Sequence, residues 1–168
     1  MALQSHAQPE PITAAEYMRA VVPARSDAMV EYGPGPSQSM DIYRPSGRGP
    51  FPVVILIHGG SWSTVASAQS LSPNAAELAA RGVVVCNIEY RRVGEPGGGY
   101  PGMYLDLAQA TDSLRPLQGA FDLDLDRVVV VGHSAGAHLA LWVGARARLP
   151  PDSPLYKDDP LQIHSVVA

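Results

Sequence analysis

Gly132-His133-Ser134-Ala135-Gly136 follows four valines, Val128 to Val131, and runs on into a helix-like pattern. A serine bracketed by two glycines between a buried strand and a helix is the arrangement that lifts a hydroxyl clear of a sharp turn. Such a turn forces the serine into a strained backbone conformation, and a side chain at Gly132 or Gly136 would collide across it. The chemistry that uses a hydroxyl so placed is attack of Ser134 on a carbonyl carbon. The carbonyl oxygen then becomes negative and needs donors already in position. His58-Gly59-Gly60-Ser61-Trp62 directly follows the apolar run PVVILI, so Gly59 and Gly60 could aim backbone N–H groups at the same point. Ala135, the residue after the serine, offers a further N–H at the start of its helix. A Gly-rich turn with a capping serine, and a plain HGG turn, are the blander readings of each segment alone; their coincidence favours the chemical one.

The elements that must position these groups are legible in outline. PVVILIH (Pro52 to His58) and VVVCNIEY (Val83 to Tyr90) are continuous apolar runs, which suits strands covered on both faces of a parallel sheet. Between them, Ser72 as N-cap, Pro73 at the first helical position, a stripe of Leu71, Ala75, Leu78 and Ala79, and a closing Gly82 predict a helix. A second helix is predicted over Met103 to Leu117, with Tyr104, Leu107, Ala108, Thr111 and Leu114 inward and Pro116 fraying its end. A third buried strand, Val128 to Val131, leads into a third helix with His138, Leu141, Trp142 and Ala145 on one face. Ala28 to Tyr32 and Gln38 to Tyr43 flank a Gly/Pro turn and read as a hairpin, and Leu161 to Ala168 reads as a further strand. Residues 1–26 are expected to form an arm or cap with a short helix over Thr13 to Val22, and 27–168 a single core. The alternation of buried strands with amphipathic helices predicts an α/β domain with a doubly wound, mostly parallel sheet.

PVVILIHGGSW, VVVCNIEYRRVGEPGGGYP and RVVVVGHSAGAHLAL together resemble the α/β-hydrolase fold, in the esterase/lipase branch that includes kynurenine formamidase-like and acetyl-esterase-like enzymes. The resemblance covers about Asp27 to Ala168 and reads as the N-terminal portion of that fold, lacking its last strands and helices. It implies a serine hydrolase of carboxylic esters or aryl amides, with Ser134 as nucleophile, Gly59, Gly60 and Ala135 around the oxyanion, and no cofactor. In the family the acid and the base follow the serine in the chain; here one strand follows it, so neither position is present. The expectation is therefore a chain that alone lacks acid and base. The alternative is a truncated or pseudoenzyme product acting by binding or by self-association through its incomplete sheet edge.

The remaining residues narrow the reading. His133 is expected to point away across the turn, His138 to face the sheet, His58 to brace the glycine loop, His164 to sit within a strand and His6 in the arm. None is expected to serve as base. Trp62, Tyr100 and Met103 are candidates to line an acyl pocket. Gly97, Gly99 and Gly102 match G-x-G-x-x-G but do not directly follow a strand, and Pro101 removes an N–H from any phosphate cradle. DLDLDR (Asp122 to Arg127) lacks the glycine and glutamate of a calcium loop and reads as a solvated turn. Glu89, Arg91 and Arg92 read as a local ion-pair anchor. No spacing suggests a metal. A net charge of −4 offers no field for nucleic acid, and no basic cluster or long apolar run points to a membrane. The single Cys86 lies in an apolar run and is expected buried and reduced, and the start of the chain has no signal-peptide pattern, so the expected location is cytoplasmic.

Overall fold

Strands with no polar face are stable only where both faces are covered, and the computed structural model, which describes residues 13, 16, 17 and 20–168, puts them at the centre of a six-stranded sheet. β1 (Ala28–Glu31) and β2 (Ser39–Tyr43) form the expected antiparallel hairpin. β3 (Phe51–Ile57), β4 (Val84–Ile88), β5 (Leu123–Gly132) and β6 (Ser165–Val167) run parallel, in the order β1-β2-β4-β3-β5-β6. The chain leaves β3 for β4 on one side and later returns to β5 on the other. That reversal opens a crevice above the C-terminal ends of β3 and β5, where ligands bind in sheets of this kind.

One face of the sheet is covered by α1 (Ser72–Ala80), whose Ala75 and Ala79 pack with Leu56 and Val85. The other carries α2 (Gly102–Asp112), α3 (Leu114–Leu117) and α4 (Ala135–Ala145) over Val53, Ile55, Ile57, Val128 and Val130. Helices on both faces make the sheet doubly wound.

Several expectations need correction. The N-cap of α1 is Leu71, one residue earlier than expected; Ser72 instead accepts the Ala24 N–H at 3.0 Å and donates to Gln69 O at 2.8 Å. The single helix expected over Met103 to Leu117 breaks at Ser113. Pro116 has no N–H to donate to the carbonyl of Asp112, so α2 ends there. The buried face of α2 and α3 consists of Met103, Asp106, Leu107, Ala110, Thr111 and Leu114, with Tyr104 and Ala108 only half-buried. In α4 the buried residues are Ala135, Gly136, Leu139, Ala140 and Val143. His138 is exposed rather than facing the sheet, and Leu141 is 58% exposed. β5 begins at Leu123, so DLDLDR is the irregular start of a strand, with the register shifting opposite Pro52 and Val53. The last strand is shorter than expected: Leu161 precedes it and donates its N–H to Asp112 Oδ1 at 2.9 Å.

Of the expected helix over Thr13 to Val22, residues 14, 15, 18 and 19 lie outside the described residues, as do 1–12 with His6. Residues 16, 17 and 20 are helical, and Thr13 and Glu16 form a capping box: the Thr13 N–H donates to Glu16 Oε2 at 2.7 Å and the Glu16 N–H to Thr13 Oγ1 at 3.2 Å.

Candidate active site

Ser134 stands between β5 and α4 with φ 55° and ψ −118°, a conformation sparsely populated for a residue with a side chain. The flanking glycines allow it. A Cβ on Gly132 would lie 2.1 Å from Gly136 O, and one on Gly136 would lie 2.1 Å from Ile57 O, so α4 starts in direct backbone contact with the end of β3. A Cβ on Gly59 would meet His133 O at 2.7 Å and Ser134 Cβ at 3.0 Å. The loop after β3 therefore abuts the serine turn, and only glycine fits between them.

The loop is itself strained: Gly60, Ser61 and Trp62 are left-handed at φ 109°, 53° and 57°. A tryptophan there is costly and persists only where neighbours fix it. The Val93 N–H donates to Trp62 O at 2.8 Å, and the indole N–H donates to His138 Nδ1 at 3.3 Å. The carbonyls of His58, Gly59, Gly60 and Trp62 are engaged. Tyr90 Oη donates to His58 O at 2.9 Å, His58 Nδ1 lies 2.8 Å from Gly59 O, and Gly60 O accepts from the Ser63 N–H and hydroxyl, each at 2.9 Å. By contrast, the N–H groups of Gly59, Gly60, Ser61 and Ala135 have no hydrogen-bond partner among the described residues. Because the carbonyl and N–H of a trans peptide point in opposite directions, each tied carbonyl turns the next residue's N–H the other way. The result is a set of unengaged donors on a loop in contact with Ser134.

Ser134 is exposed, and its hydroxyl has no hydrogen-bond partner among the described residues. His58 is fully buried and engaged behind the loop, His138 accepts from Trp62, and His164 Nδ1 accepts the Val128 N–H at 3.3 Å. His133 is exposed beside the serine. A groove of about 1150 Å³ opens at Ser134, Gly59 and Gly60 and continues past Val131 to Leu78 of α1. Trp62, Tyr100 and Met103 do not line it: Met103 is in the core, Tyr100 is 68% exposed against Tyr104, and Trp62 is 39% exposed on the α4 side. The G-x-G-x-x-G glycines are used up in folding the loop on itself, since a Cβ on Gly102 would lie 1.8 Å from Gly97 O. Among the described residues no cluster could hold a metal ion and no helix is long and apolar enough to cross a membrane.

Glu89, Arg91 and Arg92 do form an anchor. Arg91 makes a bidentate pair with Asp106, which is 1% exposed and also accepts from Gln38 Nε2 at 2.8 Å. Asp106 was not singled out in the sequence; an acid among the inward positions Met103, Leu107 and Ala110 of α2 was the available signal. Burial pushes the Cys86 thiol up to about 12, which keeps it an inert neutral thiol.

Comparison with known proteins agrees with this geometry. The chain is 34% identical over 112 residues to an isoprenylcysteine alpha-carbonyl methylesterase of Arabidopsis thaliana, covering 66% of this chain and 26% of that protein. It is 33% identical to esterase LipC of Mycobacterium tuberculosis, covering 72% and 30%, and 33% identical to a kynurenine formamidase of Danio rerio, covering 68% and 37%. The chain thus spans between about a quarter and two fifths of the length of these relatives. Among solved structures, a bacterial heroin esterase superimposes with TM-score 0.61 at 32% identity, over 66% of this chain and 34% of that one. Esterase B from Lactobacillus rhamnosis shares the fold with TM-score 0.74 at 24% identity, over 90% of this chain and 52% of that one. With the family model BD-FAE matching residues 40–165, the chain belongs to the BD-FAE family and has the fold of the esterase branch of the α/β-hydrolases.

Proposed function

We propose that the chain carries the nucleophile and oxyanion half of a serine hydrolase acting on small carboxylic esters, and on aryl amides or formamides of similar shape. The observation that carries this reading is the contact between the strained Ser134 turn and a loop whose His58, Gly59 and Gly60 carbonyls are tied back while the Gly59, Gly60 and Ser61 N–H groups are unengaged. Ser134 Oγ attacks the carbonyl carbon, and the Gly59, Gly60 and Ala135 amides receive the developing oxyanion. Collapse of the tetrahedral intermediate expels the alcohol or amine and leaves an acyl-serine, which water hydrolyses. An unassisted hydroxyl is a weak nucleophile, and no described side chain is hydrogen-bonded to it, so none is assigned as base or acid. A lone, buried thiol suits a reducing compartment such as the cytoplasm.

The unpartnered Ser134 hydroxyl favours one second reading, a chain that binds esters in the crevice without turning them over. Hydrolysis of p-nitrophenyl acetate and of an aryl formamide by the wild type and by Ser134→Ala separates the two. Saturable turnover that vanishes in the variant supports the hydrolase. Turnover that survives the substitution removes Ser134 from the mechanism, and saturable ester binding with neither turnover nor acylation of Ser134 supports the second reading.

A further inference from the structure

A row of aromatic rings lies on the α2 and α4 side of Ser134, away from α1 and the groove. Trp62 meets His138 with ring centroids 5.7 Å apart, His138 meets Tyr104 at 6.0 Å, and Tyr104 meets Tyr100 at 5.6 Å and Trp142 at 5.0 Å, every pair edge to face. The middle of the row is anchored, because Tyr104 and Trp142 are half-buried and packed against the core. Its ends are not: Trp62 is 39% exposed and Tyr100 68%. The indole N–H of Trp62 is already donated to His138 Nδ1, so what that residue leaves uncovered is apolar ring. Packing does not account for its place. Trp62 is left-handed at φ 57°, which is costly for a bulky residue, and it gains only partial burial there. Strain of this kind is concentrated at ligand clamps and active sites.

We propose that this row is a substrate subsite that takes the planar aryl substituent of the ester or amide, with Trp62 and Tyr100 as the specificity-determining rings and His138 and Tyr104 as the floor that spaces them. The subsite role rests on the function proposed for Ser134. Two connections tie the row to the reacting centre. Trp62 belongs to the loop whose Gly59 abuts the serine turn, and His138 follows Ser134 by one helical turn, its N–H donating to Ser134 O at 3.4 Å. A carbonyl carbon bonded to Ser134 Oγ, with its oxygen at the loop amides, keeps two further substituents. The site offers each an apolar surface, the groove toward α1 and the aromatic row toward α4. The row suits a flat group in particular, because a further ring adds edge-to-face or offset contact to the burial that any apolar group of that size would gain.

Binding to the row and the reactivity of Ser134 are tested separately. The protein has two tryptophans, Trp62 and Trp142, and both belong to the row, so the indole N–H signals of 15N-labelled Ser134→Ala report on it without any bond being broken. N-benzylacetamide and N-(cyclohexylmethyl)acetamide carry the same amide and differ in the planarity of the ring. The benzyl probe is expected to shift the Trp62 signal saturably, with an affinity about three- to tenfold above that of the saturated probe, which is what an aromatic contact adds to burial. Equal affinities, or no saturable shift with either probe, overturn the proposal. Tyr100→Leu changes an exposed side chain and is expected to bring the two affinities together at an unchanged melting temperature, as is Trp62→Leu read at Trp142. A preference that survives both substitutions overturns the assignment to this row. With Ser134 intact, N-benzylacetamide is expected to slow modification by a fluorophosphonate in proportion to its occupancy. Full occupancy without protection overturns the subsite role. Absence of any reaction at Ser134 in the wild type refutes the proposed nucleophile, and the indole signals still decide whether the row takes aryl groups.

Discussion

Gly59→Ala probes the contact between the glycine loop and the serine turn, because it adds one carbon and no unfavourable φ. The new Cβ would lie 2.7 Å from His133 O and 3.0 Å from Ser134 Cβ, and real Cβ contacts essentially never fall below 3.0 Å. Restoring ordinary contact requires the loop and the turn to separate by about 0.7 Å. Both sides are anchored, the loop by its tied carbonyls and the turn by backbone contact between Gly136 and Ile57, so the strain has no cheap outlet. Overpacking of this kind costs about 1–3 kcal/mol, and in a domain of this size each kcal/mol lowers Tm by about 2–4 °C. Displacement near 1 Å at a reacting centre costs on the order of 10²-fold in rate, so Ser134 should react with a fluorophosphonate about 10- to 100-fold more slowly. Gly119→Ala is the control: its Cβ meets nothing within 4 Å, and its stability should stay within about 0.5 kcal/mol of wild type. Calorimetry and timed intact-mass spectrometry on the three proteins decide it. A Gly59→Ala protein that melts with the control and reacts at the wild-type rate would refute the claim that the two segments are in contact.

Two further outcomes follow from buried groups outside the crevice. Asp106→Ala strands the donors of Gln38 and Arg91 and should cost about 3 kcal/mol or more, read by urea unfolding; a loss under 1 kcal/mol would contradict the role given to that pair. Cys86 should resist a disulfide reagent at pH 8 in the native protein and react fully once unfolded, since burial both shields it and pushes its thiol to about 12. Native labelling at the rate of an exposed thiol would show that the sheet opens.

How much of this was legible in the sequence depended on whether a residue's own chemistry left it one place to go. Ile55, Ile57, Val84, Val85 and Val130 have no polar neighbours to turn outward, so their runs could only be buried strands. Gly132 and Gly136 announced a close backbone approach, and Ser134 does take a left-handed φ. The face of α4 was not legible, because AGAHLALWVGA is apolar nearly all round and its periodicity does not choose between Leu139 and Leu141; packing against β5 and β6 does. Nor did the sequence reveal that Ser61 and Trp62 would be left-handed, since nothing local favours it and the restraint comes from Val93 and His138, distant in the chain. Trp62, Tyr100 and Met103 suggested a pocket by their types, yet the groove at Ser134 is lined by α1, β3 and β5 instead.

The central claim is that Ser134 is set apart from every other serine by its turn and by the unengaged amides beside it. Peptide mapping after timed exposure to a fluorophosphonate tests this most directly, with exposed Ser46 and Ser165 as internal references. Donor groups at an oxyanion are worth about 10²-fold or more even where no base assists, so the adduct should form on Ser134 at least about 100-fold faster than on either reference and should be absent from that site in Ser134→Ala. Modification of Ser134 no faster than of Ser46 and Ser165, or a dominant adduct on another residue, would contradict the account.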